Sequence, residues 1–252
     1  MSFDVTVLGS SGSHTGPGRA CSGYLVRADG AQLLVDCGNG SSANLQRVTR
    51  PEDLDAILIT HRHVDHCVDL IGMFYALRFH PSGPQPIELY AALEVVDTLT
   101  GLLSHDSALE FREVFHVTEV TGGDRFDVGP MHVELADAIH PVPTVSCRVE
   151  VDGVSLVYSS DSAGGPALVE LARGADLFLC EATWQGDGEG YPDGMHLTAR
   201  EAGRIATEAG AHRLVLTHVL GSLDRNRSLA EAQETFSGDL ALADDLRSWL
   251  LI

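Results

Sequence analysis

The sequence predicts an α/β protein of mixed sheets and outer helices, forming one domain over residues 1–252. Three observations carry this prediction. Short apolar runs of strand length recur along the whole chain. Stretches with helical spacing stand between and after them. No linker, low-complexity segment or repeat interrupts the alternation, and 44% hydrophobic content over 252 residues is ample for a single large core.

The strand runs, in order, are Val5–Leu8, Gly23–Arg27, Gln32–Val35, Ala56–Ile59, Ile87–Tyr90, His132–Ala138, Ser146–Val151, Val154–Tyr158, Leu177–Cys180 and Leu214–Leu216. The first alternates from Phe3 onward. Ala56–Ile59 is continuously apolar and reads as a buried strand. Asp152-Gly153 is a strong hairpin turn between two of the runs. Helical patterns fall at 40–48, 66–79, 92–103, 165–173, 198–210 and 228–236. The fifth is the best marked. Thr198 caps it, Glu201 follows three residues later, Gly210 ends it, and Ala199, Ala202, Ile205, Ala206 and Ala209 form its apolar face.

Composition narrows the partners. The chain has 36 acidic and 16 basic residues, a formal net charge of −20, and every basic residue is arginine. Long nucleic acids are bound by lysine and arginine displacing counterions at phosphates. The one local cluster here is Arg225-Asn226-Arg227, so a long RNA or DNA partner is disfavoured. No segment approaches the roughly 18 apolar residues of a membrane span. The N-terminus enters its first strand without the basic and apolar regions of a signal peptide. Cys21, Cys37, Cys67, Cys147 and Cys180 are odd in number and never in a CxxC pair, which predicts free thiols in a reducing cytoplasm.

The most informative stretch is Thr60-His61-Arg62-His63-Val64-Asp65-His66, immediately after the apolar run Ala56–Ile59. His61 and His63 point the same way if the backbone stays extended. Asp65 and His66 can then turn toward a second point. This geometry suits two metal ions side by side, a known arrangement for clamping both oxygens of an in-line displacement. His140, Asp161 and His218 each follow an apolar strand run, as His61 does, and join the cluster as candidate ligands. Cys67, Phe74, Tyr75 and Phe79 read as core or pocket wall, and His80, His105, His116, His132 and His212 as surface or structural histidines. His14 is a loop residue that could line a pocket.

Those residues, with Asp36 in Leu34-Val35-Asp36-Cys37-Gly38, resemble the metallo-β-lactamase superfamily nearly end to end. The resemblance implies a four-layer αββα sandwich with the metals at one edge. It implies that His61, His63 and His140 hold one zinc, that Asp65, His66 and His218 hold another, and that Asp161 bridges them. Asp36 would support a ligand histidine. Zinc suits the imidazole-rich set, and Mn2+ or Fe would also accept its mixed N/O donors.

Within the superfamily, Asp161 argues against the true β-lactamases. Glu181-Ala182-Thr183-Trp184 and His196-Leu197-Thr198-Ala199 resemble elements of the ribonuclease Z group, where the Glu and His relay a proton to the leaving group. Trp184 beside Glu181 could stack on a nucleobase or pack the loop. The tRNA-gripping arm of that group is commonly inserted between the positions matching His140 and Asp161, and here it is absent. What remains resembles armless bacterial phosphodiesterases of cyclic nucleotides. The loop Gly9–Ser13, including Ser11, together with Arg19 resembles a phosphate-contacting loop of this branch. The expectation is therefore a cytoplasmic dinuclear-zinc phosphodiesterase of small substrates, with catalytic Asp65, His196 and Glu181 and a homodimeric assembly. The alternatives are a tRNA 3′-end endonuclease, a thioester or lactone hydrolase, and a non-catalytic zinc-containing nucleotide-binding protein.

Overall fold

Strands and helices follow the side-chain pattern closely in the computed structural model, which describes residues 2–252. One seven-stranded sheet runs Ser248–Leu250, Phe3–Gly9, Gly23–Ala28, Ala31–Cys37, Ala56–Ile59, Ile87–Ala92, Phe115–Val120. It is antiparallel through its first four strands and parallel thereafter. The other seven-stranded sheet runs Asp239–Leu242, Arg213–Thr217, Leu177–Glu181, Val154–Tyr158, Val145–Val151, Met131–Asp137, Arg125–Val128. It is parallel through its first four strands and antiparallel beyond. Ser11–Gly12 pairs with Val219–Leu220, tying the chain that leaves Phe3–Gly9 to the chain that leaves Arg213–Thr217.

Period-two alternation decides which side chains enter which layer. In the second sheet Leu156, Tyr158, Leu177, Leu179 and Val215 join the core shared with the first sheet. Their neighbours Val157, Phe178, Cys180, Leu214 and Leu216 point the other way, into a second core with Ala199, Ala202, Ile205 and Ala206 of helix Ala199–Ala209. Helices Leu70–Arg78, Val95–Thr100 and His105–Val114 give Phe74, Leu99 and Phe111 to the first core. The result is the four-layer αββα sandwich of the metallo-β-lactamase fold.

Each of the ten predicted runs coincides with a strand. At the hairpin turn Asp152 has φ 51° and Gly153 φ 81°, the backbone that a two-residue type I′ turn requires. The helix expected at 66–79 is two helices, Val64–Cys67 and Leu70–Arg78. The break has a tertiary cause: the Asp69 N–H donates to the Cys37 carbonyl. The Asp69 carboxylate accepts from the Gly40 and Ser42 N–H groups and the Ser42 hydroxyl. Helix 92–103 is shorter than expected, Val95–Thr100. Helix His105–Val114 went unpredicted; only Phe111 and Val114 on it are buried. Phe74 and Cys67 are core, but Tyr75 and Phe79 are exposed and stacked on each other, contrary to expectation, because they lie on the outer face of their helix.

All five cysteines are free and buried. No helix among the described residues is long and apolar enough to cross a membrane.

The capping box at Thr198 is complete: its hydroxyl oxygen accepts from the Glu201 N–H, and the Glu201 carboxylate accepts from the Thr198 N–H. Thr198→Ala is expected to cost about 1 kcal/mol, read as a lower urea midpoint at unchanged slope.

Candidate metal centre

Five imidazoles and two carboxylates meet where the strands of both sheets end. Strand Ala56–Ile59 delivers Thr60 and His61, and the backbone stays extended through His63 (φ −65°, ψ 142°) before helix Val64–Cys67 begins. The extended stretch aims His61 and His63 at one point, with His61 Nε2 and His63 Nδ1 3.1 Å apart. The first helical turn then swings Asp65 and His66 to another. His140 follows Met131–Asp137, Asp161 follows Val154–Tyr158 and His218 follows Arg213–Thr217. Two groups of donor atoms form. His61, His63, His140 and Asp161 make one; Asp65, His66, His218 and Asp161 make the other, and Asp161 belongs to both.

The outward nitrogens decide what faces inward. His66 Nδ1 donates to Asp36 Oδ2 at 2.7 Å. His140 Nδ1 donates to the Met195 carbonyl at 2.8 Å. The Thr183 hydroxyl donates to Glu181 at 2.6 Å, so it accepts from His218 Nδ1 at 2.8 Å. The Thr60 hydroxyl donates to Asp36 and so accepts from His61 Nδ1. Each of these rings therefore presents Nε2 to the centre. His63 presents Nδ1, 3.1 Å from both His61 Nε2 and His140 Nε2.

Nitrogen lone pairs that face one another at this range need a cation between them. Donor atoms 2.0–2.1 Å from a tetrahedral zinc would lie about 3.3 Å apart. The inward contacts match: His66 and His218 Nε2 are 3.2 Å apart, and His218 Nε2 and Asp65 Oδ2 are 3.1 Å apart. The buried Asp161 Oδ1 makes no hydrogen bond, yet lies 3.1 Å from His66 Nε2 and 3.3 Å from His218 Nε2. The donor set and the orphaned oxygen both fit divalent metal.

The charges agree. Burial pushes His61 well below the usual imidazole pKa, and neighbouring imidazoles add to the effect; burial also lowers His63 and His140. Burial opposes the proton on His66 as well, but Asp161, Asp36 and Asp65 outweigh it and hold its pKa well above normal. Burial likewise opposes ionisation of Asp161, and His218 and His66 overcome it, leaving Asp161 an anion. No arginine pairs with Asp65 or Asp161 among the described residues. A buried carboxylate cluster of this kind is balanced by protons or by metal.

Three side chains escaped the sequence reading. Asp36 was expected, but the Thr60 N–H and hydroxyl and the Tyr158 hydroxyl that also bond it were not. Thr183 links Glu181 to His218. The N-terminal loop supplies a backbone N–H, from Ser13, to Asp65 Oδ2 at 2.8 Å. Ser11 and Arg19 do not join the donor groups. Ser11 is fully buried in its pairing with Val219, and the Arg19 guanidinium donates to the Val219 and Leu220 carbonyls, bracing the segment after His218. The other histidines set aside lie outside both groups; His80, His116, His132 and His212 make surface contacts with acids.

Glu181 and His196 adjoin the centre. Glu181 is fully buried. Its Oε1 accepts from the Ser162 N–H at 2.7 Å and His196 Nδ1 at 3.0 Å, and its Oε2 from Thr183 and the Leu197 N–H. Burial opposes the His196 proton, but the charge and hydrogen bond of Glu181 overcome it and raise its pKa to about 9. His196 Nδ1 is 3.8 Å from Asp161 Oδ2. Trp184 is stacked on Tyr191 and meets His196 edge-on, so it packs the loop and is not open to a base.

The model of the beta-lactamase superfamily domain matches residues 31–219. The metallo-beta-lactamase fold protein YhfI from Bacillus subtilis is 30% identical over 97% of this chain and 98% of its own. Its crystal structure superposes with a TM-score of 0.88 at 28% identity, covering 99% and 100% of the two chains. Ribonuclease Z of Halorubrum lacusprofundi is 29% identical over 97% of this chain and 96% of its own. The short form of human tRNase Z superposes with a TM-score of 0.78 at 25% identity, over 99% of each chain.

Gly12 and Gly38 hold the site closed. A Cβ on Gly12 would sit 2.4 Å from the His218 carbonyl oxygen and 2.8 Å from its Nδ1, and one on Gly38 would sit 1.8 Å from the Asp65 carbonyl oxygen. Asp36→Ala frees the His66 ring and is expected to weaken metal retention about 10–100-fold, measured by competition with a chelator. Gly12→Ala displaces His218 and should also weaken retention, while far-ultraviolet circular dichroism stays native.

Proposed function

The chain belongs to the beta-lactamase superfamily of metallo-hydrolases, and on that premise we propose a dinuclear-zinc phosphodiesterase acting on a small phosphodiester such as a cyclic nucleotide. His61, His63 and His140 would hold one ion, Asp65, His66 and His218 the other, and Asp161 both; Mn2+ or Fe would suit the same donors. Bound there, divalent ions supply Lewis acidity toward phosphate oxygens and an acidified water at neutral pH. The single observation that carries the reading is the Glu181–His196 pair beside Asp161.

The protein's own groups act as follows. Asp65 is held as an anion by His66 and His218 against its burial, and the Ser13 N–H steadies it. It orients the attacking water and takes its proton. The new oxygen–phosphorus bond forms as the bond to the leaving oxygen breaks. His196 gives the Nε2 proton to that oxygen, because an alkoxide departs poorly without one. Glu181 keeps the ring protonated and turned. The products are a phosphomonoester and an alcohol, on one molecule when the substrate is cyclic. The five buried free thiols favour a cytoplasmic setting.

A second reading, cleavage of tRNA 3′ ends, draws on the relatives named ribonuclease Z. Against it, residues 141–160 are used by strand Val145–Val151 and the hairpin into Val154–Tyr158. Arg225 is taken up by Asp244 and Arg227 by Glu231.

Metal-loaded protein should turn over bis(p-nitrophenyl) phosphate or a cyclic nucleotide; no turnover of either overturns the proposal. His196→Ala should spare metal content yet slow diesters with alkoxide leaving groups about 10²–10⁴-fold. Nitrophenyl esters, whose leaving group needs no proton, should lose far less. Equal losses would remove His196 as the acid.

A further inference from the structure

The leaving group emerges on the His196 side of the centre, and the structure shows what it would meet there. A cavity of about 240 Å3 is walled by Trp184, Tyr191, Asp187, Asp193 and His196. The His196 side chain is only 9% exposed. Its Nδ1 is taken by Glu181, and its other ring nitrogen has no hydrogen-bond partner among the described residues. The cavity is therefore where the oxygen that receives the proton, and whatever is attached to it, would sit.

This wall is acidic and uncompensated. Asp187 and Asp193 are exposed, and neither forms an ion pair among the described residues. Asp187 bonds only the Glu189 N–H. The arginines nearest the loop are already committed. Arg200 reaches the Gly186 carbonyl but pairs with Glu234, and Arg227 pairs with Glu231. No arginine lines the cavity. The cavity beside Asp65, about 380 Å3, has that centre carboxylate as its only acid, and Ser13, His14, Thr15 and Asn39 are among the residues that line the rest.

We propose that Asp187 and Asp193 select the leaving group, admitting an uncharged alcohol and turning away one that carries a further phosphate. Like charges brought together across a contact surface cost enough to discriminate between partners, and exposed carboxylates act on a charge that lies within a Debye length of them. The inference rests on the phosphodiesterase reading and sharpens it. The leaving part of the substrate is a neutral sugar or alcohol, as in a cyclic nucleotide or an unphosphorylated dinucleoside monophosphate. It is not the next segment of a polynucleotide.

The experiment compares two dinucleotides with an identical scissile linkage, one ending in a free hydroxyl on the leaving nucleoside and one bearing an extra phosphate there. Metal-loaded wild type should cleave the neutral-leaving substrate with a kcat/KM about tenfold higher or more. The doubly substituted Asp187→Asn, Asp193→Asn protein should lose most of that preference by gaining on the phosphorylated substrate, with bis(p-nitrophenyl) phosphate turnover unchanged. High salt should narrow the wild-type ratio and leave the variant's ratio alone. An equal ratio in wild type and variant overturns the proposal, as does equal cleavage of both substrates by wild type. If neither protein cleaves any diester, the phosphodiesterase reading itself has failed, which the bis(p-nitrophenyl) phosphate control reports separately.

Discussion

Asp36 is the joint on which the rest of the structure depends. Its two oxygens receive four hydrogen bonds: from the Thr60 N–H and hydroxyl, the His66 ring and the Tyr158 hydroxyl. Asp36 and Thr60 belong to the end of one sheet, Tyr158 to the other, and His66 to the centre between them. One fully buried carboxylate thus fastens the sheets together at their edge and orients a ring at the same time. The arrangement has a conformational cost. Asp36 (φ 59°), Ser160 (φ 53°) and His218 (φ 57°) are all left-handed, at about 1–3 kcal/mol each for such positions. They persist because the hydrogen bonds around them leave no alternative. Ser160 donates to the same Thr60 hydroxyl that serves Asp36, so two of the strained positions share one network.

That network explains what could be read from the sequence and what could not. The ten runs that were legible are strands with apolar faces on both sides or on an alternating side, and both signals survive in a linear reading. The four longer strands that were missed, Phe115–Val120, Arg125–Val128, Asp239–Leu242 and Ser248–Leu250, are the four edges of the two sheets. An edge strand has one neighbour and is half exposed, as Asp239–Leu242 is along its whole length. Its residues therefore obey no strong pattern. The helix at 66–79 was drawn unbroken because its interruption comes from Cys37 and the loop 40–42, which are distant in sequence.

The centre followed the same rule. Histidines and aspartates at strand ends can be recognised one at a time, and their order along the chain suggested a shared point. Asp36 was foreseen as the support of one ring, but the partners of two others, Met195 for His140 and Thr183 for His218, were not, because each lies far away along the chain. Arg19 shows the opposite failure. A lone arginine near a glycine-serine loop invites a phosphate, but two backbone carbonyls of the segment after His218 had already claimed it. Position along the chain identifies candidates, and competition for hydrogen bonds decides among them.

Charge is distributed to match. The chain carries a net −20, yet the acids are not interchangeable. Some of those at the surface are matched to arginines, as Arg27 is to Asp4, Arg78 to Glu110 and Arg213 to Asp239. Those in the centre are matched to imidazoles, as Asp36 is to His66 and Asp65 to His218. Asp187 and Asp193 belong to neither class, since they stand at the mouth without a cationic partner. Unpaired carboxylates add nothing to packing there, and beside an anionic substrate they weaken binding. On the proposed reading, a loop that keeps them next to His196 would repel an anionic leaving group. On the proposed reading a phosphodiester would have to approach the centre whatever its leaving group, so the repulsion would discriminate only by what lies beyond the leaving oxygen. The acidic composition that disfavours a polynucleotide across the whole surface is thus repeated, at short range, beside His196.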